Sequence, residues 1–124
     1  MQVYICHSSN FDYHNQLYHP LKSSPLWQKY RFILPHEKNS QPVNSKEIIK
    51  NSNLIIAEAT YPSTGMGIEL GWADDARKKI LCVYKAGTKI SSSMNIISDN
   101  FIEYKTSDEL IQQLEQWLNK KFHP

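Results

Sequence analysis

The chain has 124 residues, 40% apolar and 21% charged, with a formal net charge of +2. That length buries roughly two-thirds of the unfolded surface in one core, and such a composition argues against disorder. Scattered lysines make no basic stripe for a nucleic-acid polymer, and no leader-like start or apolar run of ~18–20 residues points to secretion or a membrane span; a soluble, cytoplasmic protein with a small-molecule partner is expected.

In chain order, Val3 to Cys6 (VYIC) reads as a first strand. Phe11 to Ser23 has helical spacing at Tyr13, Leu17, Tyr18 and Leu21, with Pro20 expected to bend or end the helix. Arg31 to Leu34 reads as strand two, closed by Pro35. Asn44 followed by Glu47 is a capping-box pattern that opens a short helix. Leu54 to Ala57 (LIIA) is a continuous apolar run, as a central parallel strand buried on both faces requires. Gly65 to Arg77 reads as a helix whose end carries Arg77, Lys78 and Lys79, suited to the negative pole of its dipole. Ile80 to Tyr84 is a fourth strand, Ser91 to Ile97 a short helical piece and Phe101 to Tyr104 a fifth strand. Thr106 with Glu109 caps a last helix with Leu110, Leu114, Trp117 and Leu118 on one stripe.

Strand–helix alternation implies right-handed crossovers and a doubly wound α/β fold, a five-stranded parallel sheet of order 2-1-3-4-5 with helices on both faces. Residues 1–124 read as one domain without repeats or linkers. Ligands of such sheets bind beyond the carboxyl ends of the strands at the switch point, here between the segments after Cys6 and after Glu58. Cys6 and Cys82 lie in strand-like runs and read as two buried thiols, although the spacing leaves a disulfide open. His7, His14, His19, His36 and His123 form no metal-ligand pattern.

The chemically informative stretch is Ala57 to Ala73, AEATYPSTGMGIELGWA. Ser63, Thr64 and Gly65 fall at a helix start, where hydroxyls and free N–H groups receive anions. Gly67 and Gly71 lie inside the helix at a cost of about 1 kcal/mol each, which suggests that a ligand or another backbone passes close. Glu69 is flanked by Ile68 and Leu70, beyond the first turn. A carboxylate there is either in an ion pair or in use. Trp72 reads as a core residue or as a stacking platform for a base. Tyr13, Tyr18, Trp27 and Tyr30 read as surface aromatics or as a lid.

The run from Leu54 to Cys82 resembles the signature of the nucleoside 2-deoxyribosyltransferase superfamily, above all its 2'-deoxynucleoside 5'-monophosphate N-hydrolase branch. The resembling elements are the strand ending in Ala57-Glu58, the segment from Pro62 to Ala73 and the Lys78-to-Cys82 strand. VYICHSS at the start and Ser91-Ser92-Ser93-Met94 resemble flanking elements. The resemblance implies cleavage of an N-glycosidic bond, by hydrolysis or transfer, with Glu69 as the catalytic glutamate and Tyr4 as an active-site tyrosine. It assigns phosphate or substrate binding to Ser8, Ser63, Gly65 and Gly67. It gives Ser92 to a neighbouring subunit's site and so implies a homodimer. Three hydroxyl positions for a monophosphate favour the hydrolase branch, and neither cofactor nor metal is implied.

The chain departs from that pattern in one respect. Two aspartates usual in the family fall on Ser45 and Asn53, and the first takes part in the relatives' active site. His36 and Glu37, directly after strand two, are the candidate replacement proton donors; Asp12 and Glu47 are other acids nearby, Glu47 being more simply the capping-box residue. The rival readings are a non-catalytic nucleotide-binding module and glycosidic cleavage of a ribonucleotide or dinucleotide.

Overall fold

Alternation along each strand decides which side chains meet which layer of helices. The computed structural model describes residues 1–37 and 44–121; His123 lies outside the described residues. Five parallel strands, β1 (Gln2–His7), β2 (Arg31–Ile33), β3 (Leu54–Glu58), β4 (Lys79–Lys85) and β5 (Asn100–Tyr104), form one sheet of order β2-β1-β3-β4-β5, the doubly wound order expected. Register aligns Tyr4 with Ile55, Cys6 with Ala57 and Ala57 with Cys82. Successive side chains in a strand point to opposite faces. Val3, Ile5, Leu54, Ile56, Leu81 and Val83 therefore share one face, under α1 (His19–Lys22), α2 (Leu26–Lys29) and α6 (Ser107–Lys121). Tyr4, Cys6, Ile55, Ala57, Ile80 and Cys82 share the other, under α3 (Ser45–Lys50), α4 (Thr64–Asp75) and α5 (Met94–Ile97). Both cysteines are free and buried.

The helical boundaries depart from expectation in three places. Residues His14–Tyr18 form a π-helical turn, and α1 follows with Pro20 at its start. Proline has no N–H to give, so it is tolerated at the first turn of the α-helical segment, where that donor has no partner to lose. Pro20 thus sits inside the change of register and does not end the helix, which runs to Lys22. The second difference is α2, which has no amphipathic repeat long enough to announce it; Leu26, fully buried, holds it down.

The third difference is the end of α4. Arg77, Lys78 and Lys79 lie beyond the last turn, not in it. Arg77 N–H donates to Asp74 O and Lys78 N–H to Ala73 O, each 2.9 Å, with Arg77 in the left-handed region at φ 58. This pair of bonds is a Schellman cap, whose left-handed residue is usually glycine. An L side chain costs about 1–2 kcal/mol there, partly offset by the entropy that glycine loses on folding. Arg77→Gly is expected to raise the unfolding free energy by about 0.5–1 kcal/mol. Urea denaturation checks this: the midpoint rises at unchanged slope, and a midpoint at or below wild type contradicts it.

A buried pair, Glu58 and Tyr104, ties β3 to β5. Glu58, at the end of β3 and 1% exposed, accepts hydrogen bonds from the Tyr104 hydroxyl on β5 and from Thr60 N–H. Burial is the main cause that holds its carboxyl above the usual range, against those bonds and the nearby Lys85.

Candidate active site

The chain turns from β1 towards β2 on one side and from β3 towards β4 on the other, which leaves a crevice at the carboxyl ends of the inner strands. A cavity of about 400 Å³ opens there, within the range of small-molecule sites. Its walls come from four elements: His7 and Ser9 at the end of β1, His36 after β2, Ser45 at the start of α3, and Ser63, Gly65, Glu69 and Trp72 along α4.

Glu69 is half-buried and faces this cavity. One carboxylate oxygen, Oε2, accepts the Tyr4 hydroxyl at 2.7 Å. The other, Oε1, lies 3.4 Å from the Cys6 sulfur, whose S–H donates to it. Tyr4 is fully buried. Burial first, and then its bond to Glu69, push the phenol's pKa up, so it stays a protonated donor. No ion pair to Glu69 occurs among the described residues. Among the described residues the salt bridge that the sequence leaves open at this position is thus not made.

The start of α4 supplies the anion-receptive end. Ser63 is the N-cap, its Oγ accepting from Met66 N–H at 3.2 Å, and the first intrahelical bond runs from Gly67 N–H to Ser63 O. The amides of Thr64 and Gly65 precede that bond and are left for a ligand or solvent. The Ser63 hydroxyl retains its proton to donate.

Other sequence candidates fall elsewhere. Ser8 does not line the cavity: it is 1% exposed and its Oγ accepts from Asn10 N–H at 2.9 Å, while the next residue, Ser9, faces the opening. Both serines lie just past the end of β1, and the turn there, tied by the Asn10 N–H to Ser8 Oγ bond, buries one and opens the other. Glu37 is not in the wall either. Its carboxylate is paired with Lys22 Nζ at 2.7 Å. Gly67 lines a second groove on the opposite flank of α4, with Gly71, Ser91 and Met94. No atom lies within 4 Å of a Cβ added at Gly65, Gly67 or Gly71, so no backbone of the described chain makes the close approach that these glycines suggest. Ser92 is exposed and outside the cavity. Asp12 binds Asn15 through its side chain, and Glu47 N–H is capped by Asn44. Among the described residues no cluster of His, Cys, Asp or Glu is arranged to hold a metal.

Two more wall residues bear on the site: Trp72, read from the sequence as core or as a stacking platform, and His7, to which the sequence alone gives no role there. Trp72, three residues beyond Glu69, is partly buried against the core and also borders the cavity. His7 is 3% exposed and enclosed by rings of Phe11, Tyr13, Tyr18 and His36. Its position just after Cys6, where the topology already locates the ligand, is the signal that marks it. Nδ1 lies 2.7 Å from the Ser8 carbonyl and so must carry the proton; Nε2 then accepts from the Tyr18 hydroxyl at 2.6 Å. Tyr18 Oη in turn accepts His36 N–H at 3.0 Å. Tyr18 is thus neither a surface aromatic nor a lid but a buried link between β1 and the segment after β2.

Burial lowers the His7 pKa from the ordinary 6.5 to about 4, against the bond to Ser8, which raises it. Below pH 6.5 the unfolded chain takes up a proton that the folded chain refuses. The stability His7 contributes is therefore full above pH 6.5 and lost as pH falls to about 4. The loss reaches up to about 3 kcal/mol across that window. Glu58, whose pKa is raised, acts in the opposite sense, so the comparison is with a variant. Urea midpoints of wild type and His7→Gln, taken at pH 7 and pH 4.5, check this: the fall between the two pH values shrinks in the variant, and equal falls contradict it.

No family model matches the chain. A protein of Tetraodon nigroviridis named 5-hydroxymethyl-dUMP N-hydrolase is 34% identical over 76 residues, 60% of this chain and 53% of that protein. A protein of the same name from Esox lucius is 37% identical over 73 residues, 57% of this chain and 50% of its own length. The chain spans about half the length of these curated relatives. Among solved structures, Clostridium botulinum CMP N-glycosidase BcmB superposes on 95% of this chain and 100% of its own, with a TM-score of 0.73 at 20% identity. That likeness shows a shared fold. The names of the two curated relatives agree with the resemblance carried by the Leu54–Cys82 motif.

Proposed function

We propose that this chain cleaves the N-glycosidic bond of a 2'-deoxynucleoside 5'-monophosphate or deoxynucleoside, with Glu69 as nucleophile. The observation that carries the reading is a single carboxylate turned into the cavity, fixed from behind by Tyr4 and set one turn below the free amides of a helix N-terminus. At 1.5 Å rise per residue, Gly65 precedes Glu69 by about 6 Å and Trp72 follows it by about 4.5 Å along the axis. A nucleotide with its phosphate at Ser63 and Gly65 brings C1' to Glu69 and its base alongside Trp72. In this reading helix amides and the hydroxyls of Ser63 and Ser9 are the described donors to the phosphate.

In the first step a Glu69 oxygen bonds to C1' as the C1'–N bond breaks. The departing base takes a proton from the His36 imidazolium, which lines the cavity where Glu37 does not. In the second step His36 takes a proton from water, whose oxygen bonds to C1' as the C1'–Glu69 ester bond breaks, freeing the carboxylate and the deoxyribose or its 5-phosphate. A second base in place of water gives transfer. Exposed Ser92 belongs, in this reading, to the site of a second copy in a homodimer, and free Cys6 and Cys82 suit a cytoplasmic setting. No described helix is long and apolar enough to cross a membrane.

A panel of deoxynucleoside monophosphates, with ribonucleotides beside it, tests the proposal by chromatography of free base. Glu69→Gln is expected to lower kcat at least 10³-fold, and His36→Ala about 10²-fold with leaving-group dependence. Trp72→Ala is expected to raise KM about tenfold for nucleotides while leaving affinity for deoxyribose 5-phosphate within about twofold. Equal release of base by wild type and Glu69→Gln removes the nucleophile from the scheme. The presence of Ser45 in the wall, where the family has an aspartate, favours one rival, a non-catalytic nucleotide-binding module. Thermal stabilisation by nucleotides without any release of base selects that rival.

A further inference from the structure

Resting on that reading of Glu69, we propose that Cys6 is a positioning residue, its S–H and the Tyr4 O–H forming a two-point clamp on the Glu69 carboxylate. The clamp follows from strand geometry. Tyr4 and Cys6 are two residues apart on β1, share the face that α4 covers and lie about 6.6 Å apart along the strand. One reaches Oε2 at 2.7 Å and the other Oε1 at 3.4 Å, so each oxygen has its own donor from the same rigid strand. A carboxylate held by one hydrogen bond still rotates about it; a second donor on the other oxygen fixes its plane.

The thiol has two acceptors in reach, Oε1 of Glu69 at 3.4 Å and the Met66 carbonyl at 3.8 Å. The nearer one is a carboxylate and the stronger acceptor, and the proton points to it. Burial, with the adjacent Glu69 charge, keeps the thiol protonated, so it approaches the carboxylate as a donor and never as a second anion. The two bonds are unequal. A phenol is a strong donor and a thiol a weak one, which leaves Oε1 the less encumbered oxygen and the one that attacks C1'. Cys82, buried on the same face but with no bond to Glu69, is the internal comparison.

The test combines kinetics with a spectroscopic readout that does not depend on turnover. On the substrate that wild type cleaves fastest, Cys6→Ala is expected to lower kcat about tenfold with KM within about twofold, and Cys6→Ser, which restores a donor, to recover most of the loss. Wild-type kcat in Cys6→Ala, or equal damage in both variants, overturns the proposal. In a Cys82→Ala background the infrared S–H stretch of Cys6 is expected at lower wavenumber than in the same background carrying Glu69→Ala. An unchanged band shows that no such bond exists and overturns the clamp whatever the kinetics. A shifted band with Glu69→Gln as active as wild type instead overturns the nucleophile, and with it any catalytic meaning of the clamp, while the bond itself stands.

Discussion

The hydrogen bond from Tyr4 to Glu69 joins the first strand to the helix that follows the third, and the rest of the site is arranged around it. A half-buried carboxylate is costly unless donors meet it. The donors here come from alternate positions of β1, so they exist only when β1 lies beside β3 and the crossover helix α4 returns across both. The right-handed crossover is thus what aims Glu69. Once it is aimed, the helix axis sets the other distances: free amides upstream, an indole downstream, and between them a cavity closed by His7, His36 and Ser45.

The electrostatics of the wall follow from the same arrangement. The start of α4 offers neutral donors, and His7 at the end of β1 is held neutral by burial. His36, exposed, lines the same cavity as the carboxylate, its backbone fixed through Tyr18 to His7. The buried triad of Tyr18, His7 and the Ser8 carbonyl is a scaffold, with both ring nitrogens of His7 engaged. Its value to the site is rigidity at the end of β1, where Ser9 turns into the opening.

The sheet is legible in the sequence because its strands state their burial: LIIA has no polar position, as a central strand requires. Strand–helix alternation makes the sheet parallel, while the order 2-1-3-4-5 is one of the doubly wound orders that such alternation allows. Glu69 is legible for a similar reason, a carboxylate set between Ile68 and Leu70 past the first helical turn. Side-chain direction at strand ends is not legible to one residue, which is why Ser9 and not Ser8 meets the cavity. Nor are long-range partners. Nothing local says that Glu37 pairs with Lys22, that His7 meets Tyr18, or that Cys6 approaches Glu69, because each depends on packing between elements. The π-helical turn before Pro20 and the left-handed Arg77 are tertiary choices that override local preference.

Rapid-quench mass spectrometry of the protein during turnover of a deoxynucleoside monophosphate tests the central claim most directly. A burst of free base should coincide with a transient adduct of deoxyribose 5-phosphate, and the modified peptide should carry it as an ester on Glu69. Steady release of base with no covalent adduct, or an adduct on any other side chain, contradicts the account.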